Sequence, residues 1–238
     1  MQKPFLTAEW RNLIMINYVV PEDLLIPYLP KGVELDTFEG KCYVSLVAFH
    51  FLNTKVKGMA FPFHKNFEEV NLRFYVKYKE NNEYKRGVVF ISEIVPRRMI
   101  VWVAQIIYRE KYSYAPMSSS VEETENQRNL LFSWGAPVNY WLQVITENKI
   151  HPIEAGSKEE YIFEHYWGYT TVNKTKTGEY SVEHPRWNIY PVVDTTLQVD
   201  FKSLYGSSFA FLNNTTPDSV FVAEGSAIKV YSRKILPR

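Results

Sequence analysis

Phe67-Glu68-Glu69-Val70-Asn71-Leu72-Arg73-Phe74-Tyr75-Val76-Lys77-Tyr78 is the stretch on which the fold turns. Side chains alternate across an extended strand, so residues two apart share a face. Val70, Leu72, Phe74 and Val76 form one apolar face. Glu69, Asn71, Arg73, Tyr75 and Lys77 line the other, which sets a carboxylate, an amide and a guanidinium in a row on one side of one strand. If that side meets water, the ladder is an ordinary solvated sheet face. If the sheet curls into a barrel with that side inward, the same ladder is the polar floor of a ligand pocket. The alternation is legible here; the direction it faces is not.

Working outward, residues 41–53 (KCYVSLVAFHFLN) are apolar on both faces, as in a strand covered on both sides. Segment 10–20 (WRNLIMINYVV) reads as a buried strand, and Pro21-Glu22-Asp23 opens a short helix that ends by Pro30 and Gly32. Downstream, Glu80-Asn81-Asn82-Glu83 turns into YKRGVVFISEIV to make a hairpin. In residues 97–110, Met99, Ile100, Trp102, Val103, Ile106 and Ile107 have helical spacing after Pro96, although the β-branched content also suits a strand. We read a helix there and expect it to cover the Val70–Val76 face. Strands follow near 114–121, 126–134 and 138–147, and Ser157 with Glu160 forms a capping-box pattern for another helix. Residues 179–187, 197–201 and 220–232 read as extended, with a short helix near 202–205. No repeat, low-complexity segment or linker interrupts the chain. The expectation is one α+β domain over residues 1–238, mainly antiparallel β.

Composition narrows the function. Hydrophobic residues make up 46% of the 238, in the normal globular range, and aromatics reach 16%, which suits half-buried sheet surfaces and pocket walls as well as core packing. Lys and Arg (27) balance Asp and Glu (26), so the basic excess of a nucleic-acid binder is missing. Cys42 is the single cysteine, lies in an apolar run and reads as a buried, inert thiol. The segment MQKPFLTAEW lacks the features of a signal peptide, and no run approaches 18 apolar residues. The expected location is the cytoplasm, with no membrane or nucleic-acid partner and with self-association left open.

No GxGxxG, Walker A or GxSxG pattern occurs, and His50, His64, His151, His165 and His184 are scattered without metal-ligand spacing. Neither a metal nor a cofactor is expected. Glu69 is the best general acid/base candidate, because burial beside Arg73 would tune and fix it. On a wet surface the same two residues would form only a weak ion pair. His184-Pro185-Arg186-Trp187 groups a titratable ring, a cation and a large aromatic, as a pocket wall or as a plain edge strand.

Taken in order, several segments carry a family resemblance: Val20-Pro21-Glu22 with Leu29-Pro30-Lys31-Gly32, residues 67–76, Gly87-Val88-Val89-Phe90-Ile91-Ser92, residues 104–117, and His184-Pro185-Arg186-Trp187. From Trp10 nearly to the C-terminus the chain resembles the YqjF-like family of uncharacterised bacterial proteins, within the acetoacetate-decarboxylase-like superfamily. The resemblance implies a closed or nearly closed β-barrel with packed helices and a central cavity, and it turns the Glu69, Asn71 and Arg73 side chains inward. It also makes Glu69 the counterpart of a glutamate in the decarboxylase active site. In those enzymes a lysine forms a Schiff base with a β-keto acid, its amine freed by a neighbouring cation and desolvation. Here that position falls on Tyr112 and its lysine neighbour on Ser113, with Lys111 one place off.

The resemblance and the residues together imply a protein that binds a small anionic or carbonyl-bearing molecule without a Schiff-base lysine. Arg73 is the expected anion partner, and Asn71, Lys111, His184 and Trp187 complete the expected ligand-binding set. Glu69 and Tyr112 are the expected hydrogen-bonding or proton-transfer pair. A non-covalent acid/base enzyme acting on a small organic acid is the alternative, and a filled barrel with an assembly role is a third.

Overall fold

The computed structural model describes residues 3–107 and 111–236. The first half of the chain runs β1 (Leu6–Val20), α1 (Glu22–Leu25), a 3-10 turn (Ile26–Tyr28), β2 (Glu34–Leu35), β3 (Cys42–Val56), β4 (Phe67–Glu80), β5 (Glu83–Val95) and α2 (Arg98–Ile107). Next come β6 (Tyr112–Tyr114), β7 (Met117–Glu123), β8 (Gln127–Trp134), β9 (Tyr140–Glu147), β10 (His151–Pro152) and α3 (Lys158–Phe163). The last part holds β11 (Trp167–Asn173), β12 (Lys176–Glu183), β13 (Asn188–Tyr190), β14 (Val192–Gln198), α4 (Phe201–Tyr205), a 3-10 segment (Ser207–Asn214), β15 (Ser219–Val230) and β16 (Lys234–Ile235).

Seven of these strands form a ring. The order β15-β1-β3-β4-β5-β11-β12 returns to β15 through a β12–β15 pairing at Val182↔Val230 and Glu183↔Lys229. Six of the seven seams are antiparallel; the β5–β11 seam is parallel and rests on Trp167↔Gly87 and Gly168↔Val88. The fold is α+β and mainly antiparallel, a nearly barrel-like sheet with few helices. A separate four-stranded meander, β14-β9-β8-β7, packs outside the ring.

Alternation assigns each side of the ring strands to a different core. Val70, Leu72, Phe74 and Val76 are fully buried together with Ile14, Ile16, Leu46, Leu130, Phe132 and Val144, so they face the four-stranded meander. The expected cover, α2, lies instead on the other side: its Ile100 and Val101 pack on the inner cluster. The strand face of four large apolar side chains is covered by a second twisted sheet, while Ile100 and Val101 of α2 are partly buried on the inner side. Met99 and Trp102, read as part of that helix's apolar face, are 58% and 66% exposed. The side chains of Val103, Ala104, Ile106 and Ile107, and positions 108–110, lie outside the described residues.

Burying each of the four β4 side chains contributes roughly 1.5–3 kcal/mol, so the register of this strand is strongly specified. A slip by one residue would drive Glu69, Asn71 and Arg73 into the inter-sheet core. The inner cluster holds Leu13, Met15, Val47, Phe49, Phe51 and Tyr75, closed by Tyr161, Ile162 and Phe163 of α3. Ser157 caps α3 by accepting from the Glu160 N–H at 3.1 Å. The reciprocal half of the capping box is displaced by one residue: the Glu160 carboxylate takes the Gly156 N–H at 2.6 Å.

Candidate functional site

The ladder side of β4 faces into the ring, around a cavity of about 290 Å³. Every ring strand contributes to its wall, for example Leu13, Phe49, Glu69, Phe90, Gly168, Tyr180 and Val230. Most of the wall is apolar, and the polar groups converge on one part of it. Glu69 and Asn71 are 2% and 1% exposed, and Arg73 is half-buried.

Glu69 holds two hydrogen bonds. Asn71 Nδ2 donates to Oε1 at 3.0 Å, which follows from their i, i+2 spacing on one strand face. The Tyr112 hydroxyl donates to Oε2 at 3.1 Å. Tyr112 arrives from β6, which runs parallel beside β5 with Tyr112 level with Glu93 and Glu93 level with Asn71. Burial pushes the Glu69 carboxyl up to about 7, against the opposing hydrogen bonds of Asn71 and Tyr112 and the positive charge of Arg73. Tyr112 is pushed well above its ordinary value by burial and by the Glu69 and Glu93 carboxylates, so it is a neutral donor at pH 7.

Arg73 forms no ion pair with Glu69 among the described residues. Its guanidinium stands 5.6 Å from the Tyr75 ring centroid and 3.5 Å from the Met15 sulfur. Its Nε, and Asn71 Oδ1 beside it, are buried without a hydrogen-bond partner among the described residues. Buried polar atoms are normally satisfied, so these two are among the groups a guest in the cavity can engage.

The remaining expected site residues stand elsewhere. The Lys111 ammonium lies 4.7 Å over the Tyr28 ring and is not among the described residues lining the cavity. His184 stacks on Trp187 at 4.1 Å, and both sit behind Trp10, which does line the cavity. The Trp187 indole N–H is taken by Ser226 Oγ at 2.8 Å. Polar wall residues outside the expected set include Glu93, a buried carboxylate beside Tyr112, and His165, whose Nε2 lies 3.3 Å from Asp36 Oδ2. Asp36 is 129 positions away, so no local spacing reveals the pair.

A ring of this kind with an inward polar ladder defines an acetoacetate-decarboxylase-like fold. An acetoacetate decarboxylase from Legionella pneumophila subsp. pneumophila str. Philadelphia 1 superposes with a TM-score of 0.68 at 14% identity, over 99% of this chain and 88% of that one. The enduracididine biosynthesis enzyme MppR complexed with pyruvate gives 0.67 at 10% identity, over 100% and 92% of the two chains. An acetoacetate decarboxylase-like enzyme from Sphingomonas wittichii RW1 gives 0.66 at 9% identity, over 98% and 94%. At these identities the likeness is one of fold.

The chain belongs to the DUF2071 family, described as uncharacterized conserved protein (COG2071), whose pattern matches residues 7–227. It is similar to the uncharacterized protein YqjF of Bacillus subtilis (strain 168), with 31% identity over 111 residues, 46% of this chain. That match spans 44% of YqjF, less than half its length.

Proposed function

We propose that the cavity binds a small molecule carrying a carboxylate or a carbonyl, and that it does so without a covalent bond to the protein. Arg73 is the anion partner, and Asn71, Glu69 and Tyr112 supply hydrogen bonds on the adjoining wall. The single observation that carries this reading is the Arg73 guanidinium: a cation in a mostly apolar enclosure, its Nε buried without a hydrogen-bond partner among the described residues. A charged group left this way is costly, and a guest carboxylate can meet it through two charge-assisted hydrogen bonds.

The non-covalent part rests on the wall residues. No lysine is among the described residues lining the cavity, the family resemblance sets Tyr112 against the Schiff-base lysine, and Lys111 is engaged with Tyr28. That the similarly folded MppR is known in complex with pyruvate supports a small oxo acid as the size class. Calorimetric titration with acetoacetate, pyruvate and acetone tests the reading. Binding of both acids that is lost in Arg73→Met, with acetone binding weakly in either protein, is the expected result. Acid binding that ignores Arg73 would overturn it.

One observation favours a second reading, proton transfer. A carboxyl with a pKa of about 7 can both give and take a proton at neutral pH, and Tyr112 is 3.1 Å away as a neutral donor. Exchange of the α-hydrogens of bound pyruvate in deuterated water, lost in Glu69→Gln, would establish that activity. Retention of pyruvate without exchange would leave binding as the function.

A further inference from the structure

His165 is a further polar group on the cavity wall, and the ladder chemistry does not use it. It sits between α3 and β11 with its side chain 1% exposed. Asp36 Oδ2 faces His165 Nε2 at 3.3 Å and also accepts from Arg86 Nε at 2.7 Å. The Asp36 backbone carbonyl accepts from the Tyr161 hydroxyl at 2.8 Å, so this partner is fixed. Burial alone would push the Asp36 carboxyl up, but the hydrogen bonds of His165 and Arg86 and the Arg86 charge hold it below its ordinary value.

An ionised carboxylate can only accept, so the imidazole hydrogen belongs on Nε2. Burial, with the charges of Arg86 and Arg73, holds the His165 pKa down at about 4 against the pull of Asp36, so the ring is neutral at pH 7. A neutral ring with its hydrogen on Nε2 carries a lone pair on Nδ1. Nδ1 is buried and has no hydrogen-bond partner among the described residues.

The geometry relates this lone pair to Arg73. Tyr75 carries the Arg73 guanidinium 5.6 Å from its ring centroid, and the His165 ring centroid lies 4.7 Å from the same point. The Tyr75 hydroxyl is engaged with Ser45 Oγ at 2.6 Å, which ties down the ring that both contact. The Arg73 guanidinium and the His165 ring therefore both pack on one immobilised aromatic ring, and both residues line the cavity. A guest that covers Nδ1 without offering a hydrogen leaves a buried acceptor unmet, whereas a hydroxyl satisfies it. A guest ammonium would instead bring positive charge towards Arg73 and Arg86.

We propose that His165 Nδ1 accepts a hydrogen bond from a hydroxyl on a ligand whose carboxylate is held by Arg73, so that the cavity selects small hydroxycarboxylates. This rests on the reading of the cavity as a carboxylate site. It adds a specificity-determining residue and narrows the ligand from acids in general to those with a hydroxyl near the carboxylate.

Calorimetry on the full chain with each enantiomer of lactate, pyruvate, propionate and alanine tests it. One enantiomer of lactate is expected to bind at least about tenfold more tightly than propionate and pyruvate, the scale of one hydrogen bond. His165→Phe, which keeps an aromatic ring against Tyr75, should erase that difference and leave propionate binding unchanged. A preference for lactate that persists in His165→Phe would overturn the proposal. So would equal binding of lactate and propionate in the unaltered protein when both still depend on Arg73, or tighter binding of alanine than of lactate. Binding of no carboxylate, or binding indifferent to Arg73→Met, would remove the underlying carboxylate reading together with the proposal. Should His165→Phe fail to fold, nitrogen NMR of the unaltered protein decides: the His165 Nδ1 resonance should move on saturation with lactate and stay put with propionate. An unmoved resonance in the lactate complex overturns the assignment.

Discussion

Tyr112 and Glu69, 43 positions apart, are joined by one hydrogen bond of 3.1 Å from the phenol to Oε2. It bridges β6 to β4 across the cavity wall, with β5 between them in the sheet. The bond favours the charged carboxyl, so its loss in Tyr112→Phe should raise the Glu69 pKa above about 7. The same change should cost about 1–2 kcal/mol of stability at neutral pH, because a buried acceptor loses a donor. Carbon NMR titration of the side-chain carboxyl measures the first effect and urea denaturation the second. A titration midpoint that stays in place would mean that the phenol does not act on the carboxyl.

The raised pKa of Glu69 sets a pH window for stability. Its folded value of about 7 lies above its ordinary 4.5, so the folded protein holds a proton that the unfolded chain releases between those values. The contribution is fully present below about 4.5 and is lost as pH rises through about 7. His165 acts with the opposite sign: lowered from 6.5 to about 4, it contributes stability above 6.5 that is lost as pH falls through about 4. A raw stability profile mixes the two, and the difference between the unaltered protein and Glu69→Gln isolates the first. That difference should shrink by on the order of 3 kcal/mol between pH 4.5 and 8. Parallel profiles would mean that Glu69 ionises as it would in water.

Arg73 separates ligand binding from structural pairing. Its side chain is half-buried, and its Nε is buried without a hydrogen-bond partner among the described residues, so that N–H is desolvated without compensation. Arg73→Met should leave the melting temperature unchanged or raise it, by up to about 1 kcal/mol of stability, while acid binding falls more than about tenfold. Arg73→Lys should keep the charge and lose the fork, weakening carboxylates by about 1–3 kcal/mol. Loss of several kcal/mol of stability in Arg73→Met would instead reveal a structural ion.

How much of this was legible in the sequence follows from where the information lies. The 67–78 strand, its hairpin with β5 and the two apolar strands before it were all readable, because period-two alternation is a local property. The direction of the ladder was not, since inside and outside are decided by which sheet closes on which. Resemblance supplied that part. β11 (WGYTTVN) is rich in strand-favouring Trp, Tyr, Thr and Val but lacks a clear apolar/polar alternation to mark it as half-buried. It becomes a strand by pairing with β12 and, through Trp167 and Gly168, with β5. The cover of the Val70 face was assigned to a helix because a helix was the nearest amphipathic element; the meander that fills that place lies some 50 residues downstream. Glu69, Asn71, Arg73 and Tyr112 all line the cavity, with Tyr112 bonded to Glu69. Lys111 stands off by the half-turn of alternation that separates it from Tyr112, and His165 needed Asp36 from the other end of the chain.

Covalent chemistry is tested directly. Borohydride added in the presence of acetoacetate reduces any Schiff base to a stable amine and marks the lysine by mass. No adduct is expected, because the Lys111 ammonium rests on the Tyr28 ring and the position facing Glu69 is a phenol. A mass increase on Lys111 would restore the decarboxylase reaction to this cavity.

The last prediction concerns the seam that completes the ring. Gly87 and Trp167 are register partners in the parallel β5–β11 pairing, which has only two paired positions. A methyl group at Gly87 would lie 2.5 Å from the Trp167 carbonyl oxygen and 2.7 Å from the Tyr169 ring. The first of these neighbours is backbone, which cannot rotate out of the way as a flexible side chain could. Gly87→Ala should therefore separate β5 from β11 and cost about 2–3 kcal/mol. Trp167 and Gly168 also line the cavity, so the same opening should weaken acid binding. Hydrogen exchange distinguishes this from general destabilisation: amides of β11 should exchange faster, while those of the β7–β9 meander on the outer face keep their protection. Uniform acceleration through both sheets would mean that the glycine serves overall packing rather than the closure of the ring.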